Sequence, residues 1–278
     1  MNVSALAIVL VVPLMDDWPL PMNSSAMPVD YTGLAISSDG SLMVVSDSEA
    51  DQLEIFRTDD GGHVRSLGGP GTGPGEFNGP LGFCMTPHNT VLVAECANKR
   101  IQEVTLEGAH VKSIPVRGWP FSVAVHGDLV AVARKKRSIE LYNYTAGALV
   151  RAISVVKEAG DYMQTVCFAP DGEHLAVKTM RGYIALVSVD GQFVRHVGLN
   201  TFWEGVAFTC TGYVIGVGEW GHGSVFSATD GKLLRSWATD CIMDSYEFEQ
   251  AQICYSKSVT VLGNRLYIMY GGKVYVFE

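Results

Sequence analysis

The sequence predicts an all-β fold, a six-bladed β-propeller of four-stranded antiparallel blades, because three patterns occur together. Short apolar strands separated by tight turns recur in units of roughly 40–50 residues. The same turn residues, Gly, Asp and Asn, stand at the same place in each unit, and the chain contains 30 glycines. The last unit lacks one strand, and an apolar run near the amino terminus can supply it.

The six predicted blades follow one another along the chain and make one domain over residues 1–278. They cover 31–69, 77–115, 118–156, 162–198, 202–239 and 248–278. The turn after the first strand of each blade has the Gly and Asx chemistry of a tight hairpin, as in Ser38-Asp39-Gly40. Strands such as 42–45, 129–132 and 175–177 are apolar enough to be covered on both faces, as they would be between packed blades.

The sixth blade is predicted to close the ring with a strand from the other end of the chain. Its own strands are expected at 251–255, 266–270 and 273–277, which leaves it one strand short. The apolar run 5–12 is assigned to this blade, since an open ring would expose sheet edges. The alternative for 5–12 is a signal-peptide core, but no Lys or Arg precedes it and no A-x-A site follows. The run is too short to span a bilayer.

The residues 68–106 contain the pattern from which the other units are recognised. A glycine-rich stretch, GTGPGEFNGP, is followed by an acidic residue, an Asn and the pair Arg-Ile. The matching residues are Gly71, Gly73, Gly75, Phe77, Asn78, Pro80, Glu95, Asn98, Arg100 and Ile101. This spacing resembles the NHL repeat, a blade of a β-propeller. The resemblance implies a scaffold that binds other macromolecules, and in relatives such propellers often select substrates for ubiquitin ligases.

Charge and composition narrow the classes of partner. The net charge is −9 and the sequence pI is near 5.2, which disfavours attraction to nucleic-acid phosphates or an anionic membrane. We expect a cytoplasmic monomer; secretion is the alternative, because Asn2, Asn23 and Asn143 begin N-x-[ST] sequons. The six cysteines form no CxxC pair and are expected to be buried free thiols.

The binding site is expected on one particular face of the ring. Loops between blades and between second and third strands lie on one face, which we call the long-loop face; the other turns lie on the opposite, short-turn face. Long loops on a rigid scaffold tend to carry binding residues. The expected binding residues are aromatic, acidic and basic: Trp119, Tyr162, Trp203, Glu204, Glu219, Trp220, His222, Arg134 and Lys178.

Two kinds of partner chemistry are suggested by these residues. Aromatic side chains beside carboxylates suit a basic protein or peptide. The alternative is that the carboxylates are solvated and the aromatic side chains cap blade junctions. Arg134, Lys178 and Arg181, with 135–137, would form a basic docking patch, or alternatively a solvated hairpin loop.

An enzymatic function has little support in the sequence. GxSxG, a P-loop ending in GK[ST] and HExxH are all absent. Of seven histidines, His222 alone falls in a loop of the long-loop face, so a multi-histidine metal site is not expected. The alternative is a hydrolase or lyase, lactonase-like or amidating-lyase-like, with calcium held by Asp47, Glu95, Glu204 and Glu219. The leading prediction is a non-enzymatic scaffold with no catalytic residue, metal or cofactor.

Overall fold

The computed structural model describes residues 8–13, 33–47, 49–134, 138–155, 163–198, 203–218, 222–237, 258–263, 265–270 and 273–277. In these ranges the chain forms β-strands and turns. No helix in the described ranges has the length and apolarity needed to cross a membrane. The predicted all-β class is confirmed.

The described strands form six four-stranded antiparallel sheets, which we number in chain order. In the first five, the strands are consecutive. The first sheet contains β2 (Leu34–Ile36), β3 (Leu42–Asp47), β4 (Gln52–Arg57) and β5 (His63–Gly68). The second contains β6 (Pro80–Met85), β7 (Thr90–Glu95), β8 (Arg100–Thr105) and β9 (His110–Pro115). The third contains β10 (Pro120–His126), β11 (Leu129–Arg134), β12 (Ser138–Asn143) and β13 (Leu149–Ser154).

The later sheets repeat this plan. The fourth contains β14 (Met163–Phe168), β15 (His174–Thr179), β16 (Ile184–Ser188) and β17 (Phe193–Val197). The fifth contains β18 (Trp203–Phe208), β19 (Val214–Gly218), β20 (Gly223–Phe226) and β21 (Leu233–Trp237). The sixth has the order β1 (Ile8–Pro13), β24 (Lys273–Phe277), β23 (Arg265–Tyr270) and β22 (Ser258–Leu262). Each sheet lies within one predicted unit, apart from β1.

The N-terminal strand joins the sixth sheet, as the sequence predicted. β1 pairs antiparallel with β24, with Val12 opposite Val274 and Leu10 opposite Val276. The strand predicted at 251–255 lies outside the described residues. In the structure, β22 is the strand that pairs with β23. β22 leads directly into the Gly263 turn, so Leu262 pairs with Arg265 in a tight hairpin.

The core is divided into layers between neighbouring sheets. Six clusters of buried apolar side chains are present in the described ranges, and each draws its members from two sheets. One of them joins the sixth sheet to the first, with Tyr267 and Met269 against Ile36 and Phe56. Both faces of the middle strands are therefore covered, which explains their nearly continuous Val, Leu, Ile and Ala composition.

The turns have the predicted chemistry. Gly40, Gly172 and Gly212 occupy the same place in three first turns and have φ values of 75°, 70° and 83°. Asn89 takes this place in the second sheet with φ of 60°. Asn tolerates the left-handed region better than most residues with a side chain, which explains why the second sheet can lack a glycine at this position.

Candidate functional site

A channel runs between the first strands of the six sheets. Its volume is about 710 Å³, and its lining comes from β2, β6, β10, β14, β18 and β22. Pockets of roughly 300–1,000 Å³ hold small ligands or parts of larger ones. Because each loop between sheets leads into a first strand, the first residues of these strands lie at the long-loop end of the channel. We call that end the mouth.

Four successive first strands are irregular at the mouth. The pairing of β6 with β7 shifts between Pro80 and Phe83, and equivalent shifts follow Pro120, Met163 and Trp203. Each shift leaves an extra residue on the first strand. A β-bulge of this kind re-aims a side chain, and bulges are frequent beside functional sites. The bulge residues are Leu81, Phe121, Gln164 and Glu204, all partly exposed and all lining the channel. We call these four residues the mouth ring.

Lys178 is a buried charge beside the mouth ring. It lies opposite Thr165 in the fourth sheet, where the third and fifth sheets have Ala133 and Val217. Lys178 is 3% exposed and lines the channel. Its Nζ donates a hydrogen bond to Gln164 Oε1 and lies 3.7 Å from Glu204 Oε2. A buried ammonium requires partners of this kind, and here both come from the mouth ring.

The Glu204 carboxylate is the more accessible partner of this ion pair. Its side chain is 26% exposed, against 4% for Lys178. Gln164 Nε2, the other end of the amide that accepts from Lys178, lies 3.4 Å from Met180 Sδ, which is a weak acceptor. Among the described residues, the mouth therefore presents the Glu204 carboxylate as an acceptor and the Gln164 amide as a donor whose contact is the Met180 thioether.

Trp203 is a core residue, and its expected place on the binding surface is wrong. The side chain is 2% exposed and packs between the fourth and fifth sheets, edge-on to Phe226 at a ring separation of 5.6 Å. Its Nε1 donates to the Gly198 carbonyl oxygen at 2.8 Å. Trp203 stands where Pro80, Pro120 and Met163 stand in the preceding sheets, and all of these are buried. Aligning the repeats at this position would have revealed the burial.

Arg134 is also buried, which corrects its expected place in an exposed basic patch. It is 6% exposed, its Nη2 donates to Glu140 Oε1, and its Nη1 donates to the Arg117 carbonyl oxygen at 2.6 Å. The second Glu140 oxygen accepts from the Tyr142 hydroxyl at 2.6 Å. Burial, reinforced by this bond to Glu140, raises the pKa of Tyr142. Lys178 is buried as described above, and 135–137 lie outside the described residues.

The remaining expected binding residues are either at least partly exposed or outside the described residues. Trp119 is 46% exposed and immediately precedes β10, on the long-loop face. His222 is partly exposed, with its ring 6.1 Å from the Trp203 ring. Tyr162, Glu219 and Trp220 lie outside the described residues. Of the two expected tryptophans that the structure describes, Trp119 is at the surface and Trp203 is buried.

The carboxylates of the alternative calcium site have other partners. Asp47 Oδ1 accepts from the backbone N–H groups of Glu49 and Ala50, at 3.1 and 2.9 Å. Glu95 is fully buried and accepts from Arg100 Nε and Asn98 Nδ2, both at 2.6 Å. In the part of the chain that the structure describes, no group of three His, Cys, Asp or Glu side chains is close enough to hold a metal.

The glycine-rich stretch before β6 is held by side chains of the second sheet. Arg100 donates to the carbonyl oxygens of Thr72, Gly73 and Glu76 at 2.7, 3.0 and 2.8 Å. Asn98 Nδ2 donates to the Gly71 carbonyl, and Gln102 joins the Gly75 N–H to Glu95. The exposed Glu76 accepts a hydrogen bond from the Gly73 N–H at 2.9 Å.

The described cysteines match the expectation of free thiols but not that of full burial, because Cys84, Cys96 and Cys167 are partly exposed. Cys84 and Cys167 lie in β6 and β14, and burial raises the pKa of each thiol to about 12. Cys210 differs, because it is exposed in the turn between β18 and β19. The four cysteines in the described ranges are all free thiols.

The comparisons with known proteins concern the fold. No family model matches the chain, and no curated protein does. Among solved structures, the chain is similar to one described as the crystal structure of the WD40 β-propeller domain of Doa1, with a TM-score of 0.66 and 14% identity. The match covers 88% of this chain and 78% of that chain. The chain therefore has a β-propeller fold of four-stranded antiparallel blades, similar to WD40 propellers.

Proposed function

We propose that this protein is a non-enzymatic scaffold that binds a protein or peptide partner at the channel mouth on its long-loop face. The observation that carries the proposal is the run of four bulges that turns Leu81, Phe121, Gln164 and Glu204 towards the mouth. A side chain re-aimed at the same point of four successive blades makes a composite surface that no single blade could form. Propellers that resemble WD40 domains commonly serve as protein-interaction scaffolds.

The finer identity of the scaffold is a closed six-bladed propeller of the NHL type. The apolar layer between the sixth and first sheets and the pairing of β1 with β24 support closure with six blades. The bonds from Asn98 and Arg100 to the glycine-rich stretch support the NHL assignment, since they join the signature residues Asn98 and Arg100 to the signature residues Gly71 and Gly73. A cytoplasmic monomer without a cofactor completes the proposal.

Charge supports a basic partner. The loops between sheets contain Glu158, Asp161, Asp240, Asp244, Glu247 and Glu249 in the sequence, and the whole chain has a net charge of −9. Such a field speeds encounter with a cationic partner and depends on salt. Substrate selection for a ubiquitin ligase is one role that such a scaffold could fill.

Affinity capture with matched variants tests the site. The immobilised chain is used to capture partners, the captured proteins are identified by mass spectrometry, and the strongest is purified for titration. The Gln164→Ala/Glu204→Ala variant should bind this partner at least tenfold more weakly, because it removes the polar half of the mouth ring.

The control is Leu233→Ser, on the outermost strand β21, where the side chain is 57% exposed. This variant should bind as the parent chain does. The proposal fails if the control weakens binding while the double variant leaves it unchanged, since the partner would then be bound by the outer rim.

A further inference from the structure

We infer that the outer edge of the propeller, between the fourth and fifth sheets, binds an acidic amphipathic helix of a partner protein. The carboxylates of that helix pair with Arg195, and its apolar face covers Leu233. This surface lies on β17 and β21, which are at the opposite sides of their sheets from the channel-lining strands β14 and β18. The inference therefore concerns a second surface and goes beyond the proposed function.

The outermost strands of the first five sheets share one pattern. Each strand has a bulge near its start, which leaves one extra residue on the outer strand. A cation follows each bulge, and the five strands contain no Asp or Glu, although the whole chain has a net charge of −9. The cations are Arg65, Lys112, Arg151, Arg195 and Arg235. These outer edges are thus basic places on an acidic protein.

Arg195 differs from the equivalent cations of the two preceding sheets. Lys112 Nζ donates to a carbonyl oxygen in a turn of the third sheet at 2.6 Å, and Arg151 Nη1 donates to the Asp190 carbonyl oxygen in a turn of the fourth. Arg195 also reaches the next sheet, since the Cβ that Gly231 lacks would lie 3.6 Å from Arg195 Cδ. Its Nε, however, is buried and has no hydrogen-bond partner in the described structure.

A carboxylate is the group that best satisfies this guanidinium. A buried N–H without a partner is costly, and a guanidinium can donate two parallel hydrogen bonds to the two oxygens of a carboxylate. Arg195 is partly exposed, so a carboxylate can approach it from outside. Asp230, the acid of the neighbouring turn, is already paired with Lys232, at 3.0 Å between Oδ2 and Nζ. The carboxylate is therefore left for a partner to supply.

Exposed apolar side chains lie at the start of the same two outer strands. Leu233 and Leu234 begin β21 and are 57% and 46% exposed. Phe193 and Val194 begin β17 and are 52% and 38% exposed. Leu233 is opposite Phe226, which belongs to the apolar layer between the fourth and fifth sheets. Leu233 thus extends that layer to the surface, where an apolar partner side chain would remove it from water.

The bulges favour a helix over a strand as the occupant. An outermost strand has unpaired main-chain groups, but the extra residues Val194 and Leu234 interrupt the regular ladder. A partner strand therefore cannot pair regularly along the whole edge. A helix satisfies its own main-chain groups and binds through side chains, so it needs no regular edge. It can also place carboxylates beside an apolar face, as Arg195 and Leu233 require.

A labelled peptide tests this inference without the natural partner. The acidic peptide is an amphipathic helix of about 18 residues, with leucine along one face and glutamate beside it. The neutral peptide has glutamine in place of every glutamate. Binding to the full chain is followed by fluorescence anisotropy. The acidic peptide should bind saturably and more weakly as sodium chloride is added, and the neutral peptide should bind about tenfold more weakly.

Matched variants locate the bound peptide. Arg195→Met keeps an apolar stem beside the turn of the fifth sheet but removes the guanidinium, so it should weaken the acidic peptide about tenfold. Arg65→Met, at the same place in the first sheet, is its control and should leave the affinity unchanged. Leu233→Ser should weaken binding about fivefold. Val111→Ser, on β9 and 48% exposed, is the apolar control and should have no effect.

Urea denaturation separates binding from a purely structural role of Arg195. If Arg195 mainly held the two sheets together, Arg195→Met would lower the midpoint of unfolding. Because its Nε has no partner, the midpoint should be unchanged or higher. A lowered midpoint with unchanged peptide affinity overturns the inference.

The outcomes also separate this inference from the proposed function. The Gln164→Ala/Glu204→Ala variant should bind the acidic peptide as the parent chain does, and a loss of binding there places the peptide at the mouth and overturns the inference. Absence of saturable binding overturns it too, whether the chain instead sediments with anionic phospholipid vesicles or self-associates through Leu233. Weaker peptide binding by both Arg195→Met and Leu233→Ser supports the inference, even if partner capture does not depend on the mouth ring.

Discussion

The long-loop end and the short-turn end of the sheets use similar residues for opposite purposes. At the long-loop end, carboxylates such as Glu95 and Glu140 are buried, and each is bonded to an arginine. At the short-turn end, carboxylates such as Asp39, Asp128 and Asp230 are exposed and accept hydrogen bonds from a Ser or Thr of the same turn or, for Asp128, from Thr145 of the adjacent turn. The difference teaches that a charged residue beside one of the short turns is exposed here. A charged residue beside one of the longer loops can instead be buried in an ion pair.

The largest effect that separates the two ends is expected for Trp203→Ala. The buried indole lies at the long-loop end of β18, so its loss should lower the free energy of unfolding by about 4 kcal/mol. Urea denaturation measures the change. Trp119→Ala is the control, because Trp119 is 46% exposed, and it should change stability by at most about 0.5 kcal/mol. Similar costs for both variants would contradict the burial difference.

The next largest difference is in the stability lost when an arginine is removed from a buried ion pair or from an exposed one. Arg134→Met leaves the buried Glu140 without its arginine and should cost about 3 kcal/mol in stability. Arg57→Met removes the partner of Asp60 in a short turn, where the two side chains are 48% and 54% exposed, and should cost much less stability than Arg134→Met. The same denaturation experiment compares them, and an equal cost would mean that water reaches Glu140.

Arg100→Ala should act mainly on one loop. The variant removes three bonds to backbone carbonyls before β6, so the amides of Gly71, Gly75 and Phe77 should exchange with deuterium at least tenfold faster. Overall stability should fall by about 2 kcal/mol, because Glu95 loses a charged partner. Arg117→Ala, an exposed neighbour, is the control. Unchanged exchange in the loop would show that other contacts hold it.

The smallest effect concerns the pH dependence of the short-turn end. Hydrogen bonds from Ser37 and Ser41 lower the pKa of Asp39 from 3.8 to about 2. A lowered pKa in the folded state means that this stabilisation is complete above pH 3.8 and is lost as the pH falls through about 2. Ser41→Ala should raise the Asp39 pKa, as measured by a carboxyl NMR titration. An unchanged titration would contradict the role of the hydroxyl.

The turns and strands were more predictable than the binding residues. Gly40, Gly172 and Gly212 predict their turns from the sequence, because a left-handed backbone is unfavourable for most other residues. Trp203 was misplaced because it directly precedes the bulge residue Glu204, and consecutive residues of a strand face different neighbours. Lys178 was recognised as a basic residue, but its burial depends on Gln164 and Glu204, which approach it from other strands.

By itself, the sequence determined the all-β class and the repeated hairpins, because turn chemistry and apolar periodicity act over short distances along the chain. It also predicted the pairing of the amino-terminal strand with the last sheet, because the last unit is one strand short and an unpaired sheet edge is unfavourable. Only the tertiary structure decided which side chains reach the channel mouth. That outcome depends on a one-residue bulge in four of the first strands and on charges contributed by neighbouring sheets, and both are set by packing between segments that are distant in sequence.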